Sequence, residues 1–486
     1  MNSKLLLILA YILLFFCDLS AKRVKVENSV QFREEVQKLN PGDSLVLANG
    51  IWKNVQLVFK GNGQEGKYIH LIAETPGKVM IEGKSSLQFS GEWLSISGLV
   101  FVHGSSPGKA VIEFRTNSSE YANNSILTNC VIEHFNQESK DQTDHWVGLW
   151  GKKNKVEYCY FGGKSNTGTT LVVWPNDSNS TNNGHIIRRN YFGARPILGK
   201  NGGESIRIGT SDVCRNNSGS VVESNYFEQC DGEIEIISNK SGGNSFINNT
   251  FFECAGSLVL RHGNHAVVSG NWFIGNGKEA TGGVRVINEG HMISNNFFIK
   301  LRGKEFSAPL AIMNAIPDSP PEGYAAVRNV VITHNTFVEC TTPLNFGVGA
   351  GKRNCTVKPE NTYLVNNLIY SPDEDEVIKY FDRTDGIMLD HNLFSTRKGS
   401  FVQNNQNSTE LKKVQIDGIE IVYTTARAKN TGMADLNTPA LTSSGSFIGA
   451  FQGESDESSF QIANAKNCGP IWYKKTDPGS NKPTEY

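Results

Sequence analysis

The segment CDGEIEIISNK, Cys230 to Lys240, holds the most concentrated set of reactive side chains in the sequence. In an extended strand Glu233 and Glu235 point the same way, roughly 6.6 Å apart, with Ile234 and Ile236 turned toward a core. Two carboxylates so placed repel each other, and a hard cation is their natural partner. Lys240 follows, past an expected bend at Ser238 and Asn239, and Arg261, Arg285 and Arg207 add guanidinium groups nearby in sequence. Alone, the segment reads equally well as a solvated charged strand face. Together, an oxygen-ligated cation, a lysine and an arginine suit β-elimination in a uronic acid polysaccharide. There a base takes the proton α to the carboxylate, and the glycosidic bond at C4 then breaks. The negative carboxylate keeps that proton weakly acidic, so a cation and guanidinium groups must neutralise it and the enolate-like charge that develops. A lysine acts as base only in its neutral form, and adjacent positive charge favours that form. Calcium suits the oxygen set Asn201, Glu233 and Glu235 better than zinc, since neither His nor Cys supplies a ligand in it.

A repeat positions these residues. One phrase recurs, an apolar pair, a polar residue, Asn, then an aromatic or apolar pair: IIRRNYF at Asn190, VVESNYF at Asn225, FINNTFF at Asn249, VVSGNWF at Asn271 and MISNNFF at Asn296. It continues at Asn335, Asn367 and Asn392, with an earlier copy, ILTNCVI, at Asn129. Intervals from Asn190 onward are 35, 24, 22, 25, 39, 32 and 25 residues. Such periods, with short strands and no helical pattern between them, predict an all-β, single-domain right-handed parallel β-helix. Like residues then stack every ~4.8 Å, and the repeated Asn forms a buried hydrogen-bonded ladder. Counted from the Asn of its own coil, Asn201 falls at +11, Glu233 at +8, Glu235 at +10, Lys240 at +15, Arg261 at +12 and Arg285 at +14. Similar offsets place all six near one sheet face, with Arg207 on the same side.

The stretches NGGESIRIGTS (201–211), ESNYFEQCDGEIEIISNKS (223–241), RHGNHAVVSGNWF (261–273) and GGVRVINEGHMISNNFF (282–298) resemble polysaccharide lyase family 6, the alginate lyases and the dermatan-cleaving chondroitinase B. The resemblance implies calcium on Asn201, Glu233 and Glu235, with Lys240 as Brønsted base and Arg261 as Brønsted acid. It also implies substrate contacts from Arg207, His262 and Arg285, and an acidic polysaccharide, alginate, as the partner. His291 is expected to be structural. The enzyme alternative is a chondroitinase B type lyase on dermatan sulfate. The other is a non-catalytic glycan-binding β-helix, since fold alone implies no catalysis. No pair of Asp residues stands where a hydrolase would need one.

The rest of the chain fits an exported solenoid. Lys4, the apolar run Leu5–Phe16 and the small residues Ser20 and Ala21 predict a signal peptide over 1–21 and the lyase domain over 22–486, periplasmic or secreted; lipoprotein anchoring at Cys17 is the less favoured reading. No later segment is apolar enough to span a bilayer. The 486 residues carry 47 Lys and Arg against 48 Asp and Glu, which excludes a basic nucleic-acid stripe. The 49 Asn and 48 Gly argue against helices and for many turns. The eight cysteines after Cys17 include no CxxC pair and read as small buried residues. Asn28 and Ser29 begin a capping helix with Phe32, Val36 and Leu39 on its inner face. Beyond about Phe401 the phrase disappears, and coils and loops of lower regularity are expected to 486.

Overall fold

Each coil of the repeat contributes one strand to each of three sheets in the computed structural model, which describes residues 21–403, 410–429, 447–452 and 462–473. The sheets hold 14, 13 and 14 strands, and hydrogen-bonded neighbours are one coil apart. Their strand pairs are parallel apart from the last, Leu393–Thr396 with Gly399–Val402. The fold is a parallel β-helix. The predicted leader up to Ser20, with Cys17, lies outside the described residues, as do 404–409, 430–446, 453–461 and 474–486 of the C-terminal region expected to be less regular. The described part beyond Phe401 includes an antiparallel hairpin, Leu411–Ile416 with Ile419–Thr424. It packs over the outer face of one sheet against Trp272, Phe297 and Leu368.

The asparagine ladder runs unbroken from Asn190 through Asn225, Asn249, Asn271, Asn296, Asn335 and Asn367 to Asn392. Each backbone N–H donates to the next Oδ1 at 2.9–3.0 Å, and the side chains are at most 1% exposed. The residue before each ladder position bends the chain in the left-handed region, as at Asn248 (φ 55°), Asn295 (φ 57°) and Asn366 (φ 58°). Asn tolerates that conformation, which explains much of its abundance. Asn129 is such a bend residue (φ 51°) and not a rung, contrary to the sequence reading. The buried slots in the early coils belong to Cys130 and Cys159, and the Cys159 N–H donates to Asn190 Oδ1 at 2.9 Å. Beside the ladder, Phe192, Phe227, Phe251, Phe273, Phe298 and Phe337 stack with ring centroids 4.4–4.9 Å apart and planes within 9°.

The helix Ser29–Val36 covers the first coil. Asn28 Oδ1 accepts from the N–H groups of Val30 and Gln31, and Phe32 and Val36 are buried; Leu39 packs against the core beyond the helix end. All eight described cysteines are free thiols; seven are buried and Cys214 is half-buried. His291 is structural, its Nδ1 accepting from the Ala266 N–H at 3.1 Å. The 13-stranded sheet carries the strands Leu171–Val173, Ile206–Ile208, Glu235–Asn239, Gly256–Leu260 and Thr281–Val286 in consecutive coils. In its register Arg207 lies opposite Ser238, Ser238 opposite Val259, and Val259 opposite Arg285.

Candidate active site

Over this sheet lies a cavity of about 950 Å³ whose walls include Asn201, Arg207, Glu233, Glu235, Lys240, Arg261 and Arg285. Seven of the eight residues expected from sequence therefore meet in one place. His262 does not reach the lining. It is 6% exposed, with Nε2 3.2 Å from Ser211 Oγ. Burial, with Arg261 and Lys240 beside it, pushes its pKa down to about 3, so the ring is neutral and packed beside the cavity wall.

The carboxylates are arranged differently from the simple alternation expected. The strand begins only at Glu235 and runs through Ser238 and Asn239 without the expected bend. A register shift between Glu235 and Ile237 turns both Ile236 and Ile237 inward, while Ile234, expected in the core, is 53% exposed. Such a bulge re-aims side chains beside it. Glu233, just before the strand, accepts from the N–H groups of Gly202 and Gly203 at 3.0 and 3.3 Å. Gly202 is in the left-handed region (φ 97°), and a Cβ on Gly203 would fall 2.4 Å from the carbonyl of Gly232, so both glycines are required for this approach. Burial raises the Glu233 carboxyl pKa to about 8, and Glu204 and then Glu235 add to the rise.

Glu204, within the NGGES stretch, also reaches the site, and nothing in its local sequence marks it. It is 4% exposed, lines the cavity, and its Oε2 is buried without a hydrogen-bond partner. Arg195, 3% exposed, fixes this loop from behind. Its guanidinium donates to the carbonyls of Glu204 (2.7 Å), Gly168 (2.8 Å), Gly202 (2.9 Å) and Asn166 (3.1 Å). Among the described residues no three His, Cys, Asp or Glu side chains form a metal cage by themselves. The donors here are nonetheless all oxygen, and a buried unpartnered carboxylate oxygen beside a carboxyl driven toward its neutral form fits a hard cation.

The cationic wall is held by Glu235. Its Oε1 lies 3.4 Å from Arg261 Nε and 3.7 Å from Arg285 Nη1, and its Oε2 accepts from Ser238 Oγ at 2.5 Å. Arg261 also donates to Gly323 O at 3.1 Å and lies 4.4 Å over the Tyr324 ring. Arg285 is 1% exposed, donates to Phe306 O at 2.7 Å, and keeps Nη2 unpartnered. Expected as a substrate contact, it is a buried guanidinium behind Glu235. Burial lowers its pKa. Arg207 rests 5.3 Å over Trp174 with its Nε buried and unpartnered. Lys240 follows the strand directly, its N–H bonded to Ile208 O at 2.8 Å. Asn201 is exposed on the rim. The 39-residue interval between Asn296 and Asn335 was the available signal for Tyr324 and Phe306, because an overlong coil must place its excess chain on a face.

A parallel β-helix with a lysine and two arginines beside half-buried carboxylates in one sheet-face cavity defines a class, the β-helix polysaccharide lyases. Residues 26–437 match the Chondroitinase B family. A solved PL6 family alginate lyase, AlyGC, is 36% identical over 94% of this chain, with a TM-score of 0.83; the chain spans 59% of the length of that protein. A mannuronic acid specific polysaccharide family 6 lyase from human gut microbiota is 33% identical, with 76% of this chain and 85% of that chain covered and a TM-score of 0.69. A PL6 lyase from Pseudopedobacter saltans, 23% identical over 93% of this chain and 100% of that one, shares the fold with a TM-score of 0.70. No curated protein matches the chain. The chain belongs to the Chondroitinase B family, polysaccharide lyase family 6.

Proposed function

We propose that the protein is a calcium-dependent alginate lyase that cleaves mannuronate-containing linkages by β-elimination and is exported through its N-terminal leader. The observation that carries this reading is the meeting of Lys240 and Arg261 with Glu233 and Glu235 in one cavity. Support for alginate comes from the two relatives above 30% identity, one an alginate lyase and the other mannuronic acid specific. Asn201, Glu233 and Glu235 would hold calcium, with Glu204 beside them, and the ion would neutralise the uronate carboxylate. In the cut, Lys240 acts as the base that takes the C5 proton, and the electron pair of that C–H bond becomes the C4–C5 double bond. The C4–O bond breaks with its pair on the leaving oxygen, which takes a proton from Arg261. Arg207 pairs with a substrate carboxylate.

The test is to incubate the pure protein with alginate and with dermatan sulfate while following absorbance of the unsaturated product. A rise with alginate is expected, and no rise with alginate would sink the reading. A rise with dermatan sulfate alone would favour the chondroitinase B activity that the family's description names. Lys240→Ala should abolish turnover while the thermal midpoint stays near that of the parent. Chelation should stop turnover with a much smaller effect on the melt, because the ladder and phenylalanine stack hold the solenoid without an ion. A melt that collapses with chelator would make the ion structural.

A further inference from the structure

The site sheet carries a second cavity of about 640 Å³ over its earlier coils, lined by Lys60, Asn62, Asn123, Asn124 and Lys152 among others. It shares no lining residue with the lyase cavity. Between them stands an aromatic stack. Tyr121 lies on Trp150 with centroids 5.8 Å apart and planes at 18°, and Trp150 lies on Trp174 at 5.4 Å and 17°. The stack is clamped throughout. Arg115 Cζ sits 3.6 Å over Trp150, Trp150 Nε1 donates to Glu113 Oε1 at 3.2 Å, and Tyr121 Oη donates to Asp177 Oδ2 at 2.6 Å. Tyr121 and Trp150 are only 9% and 8% exposed, and the outward-facing Val172 beneath the stack is fully buried.

Register sets where this stack falls. The N–H groups of Trp174, Gly209, Lys240 and Arg261 donate to Leu149, Val173, Ile208 and Asn239, so Trp150, Trp174, Gly209, Lys240 and Arg261 form one file along the axis. Trp174 is two coils from Lys240, about 10 Å at the spacing of strands. On the other side, one coil past Lys240, Arg261 lies 4.4 Å over the Tyr324 ring, and the cavity continues past it to Lys352 and Arg353.

The geometry points to a stop: Tyr121, Trp150 and Trp174 end the cleft on its N-terminal side, so the enzyme takes its acidic polysaccharide from a chain end and releases short products of narrow size range. This inference rests on the lyase reading of the cavity. The faces of the two indoles are occupied by each other and by guanidinium groups, so the stack is a wall and not a platform on which sugar rings stack.

Two measurements test it. Early in alginate digestion, size-resolved products detected by their unsaturated absorbance should be short oligomers, with viscosity falling well behind product release. A broad ladder of long products at the first time points would overturn the stop. Trp150→Ala combined with Trp174→Ala, checked for folding by its melt, should join the two cavities and shift early products to longer chains. Asp177→Asn, which loosens Tyr121 without opening a hole, should shift them the same way to a smaller degree. Independently of turnover, Lys240→Ala titrated with alginate fractions of increasing length should bind one protein per chain at every length. Stoichiometry that grows with length would overturn the stop, whereas absence of unsaturated product with chain-end stoichiometry intact would overturn only the lyase reading.

Discussion

Buried Glu204 and half-buried Glu233 form a repulsive pair, and the cost of that repulsion is what a cation would remove. Burial is the first cause of the raised Glu233 pKa and Glu204 the second, so neutralising Glu204 should relieve the site without a cation and weaken it toward one. Glu204→Gln is expected to fold with an unchanged or higher melting temperature in chelator and to bind calcium about tenfold or more weakly by calorimetry, the range typical when a group supporting a metal site is lost. Calcium affinity equal to the parent's would show that Glu204 takes no part. At this scale the sequence spoke through types and offsets: Asn201, Glu233, Glu235, Lys240 and Arg261 were visible because each sits at a similar distance from a ladder Asn. It did not speak of burial. Arg285 was expected as a substrate contact, yet it is 1% exposed against Phe306, brought by a long insertion between Asn296 and Asn335. Nor did the repeat foretell that a bulge would expose Ile234, because a one-residue slip in register leaves no compositional mark.

Among the elements, the ladder is the one whose energetics are most exposed to test. In mid-ladder, Asn271 Oδ1 accepts from both the N–H and the side-chain amide of Asn249, and its own amide donates to Asn296 Oδ1 and Phe246 O. Asn271→Ala leaves those groups buried without partners, at about 1–3 kcal/mol for each one that finds no water. Urea unfolding should show a loss of that order or more. The same change at Asn392, the last rung, should cost less, since the ladder gives it no following Asn to hold. Equal losses at both positions would mean that the ladder is a set of independent contacts. The ladder was legible because the fold demands the same residue at the same turn of every coil. Its beginning was not, because Cys130 and Cys159 fill the same slot with a different side chain and leave Asn129 at the bend, one residue early. The helix over the first coil was legible for a local reason: its cap and its apolar spacing both lie within a dozen residues.

Across the whole molecule a formal charge of -1 conceals strong local separation, with half-buried carboxylates facing guanidinium groups in the cleft and neutral histidines sealed in the coils. Those histidines give the fold a defined acid limit. Burial lowers the pKa of His185 to about 3, and of His291 and His334 to about 4, all below the ordinary 6.5. Between those values and 6.5 the unfolded chain binds more protons than the folded one, so stability falls as pH falls through that window and is complete above it. His291 is the clearest case, since its Nδ1 accepts from the Ala266 N–H and its Nε2 pairs with Ile287 O, an arrangement that requires the neutral ring. His291→Gln should therefore be destabilising at pH 7, where the ring is neutral in both states and the packing is lost. By pH 4 the gap to the parent should narrow, because the parent alone still has to keep that imidazole unprotonated against its free pKa. Melting temperatures of the two proteins across pH 4 to 7 decide it, and parallel curves would show that some other group sets the acid limit.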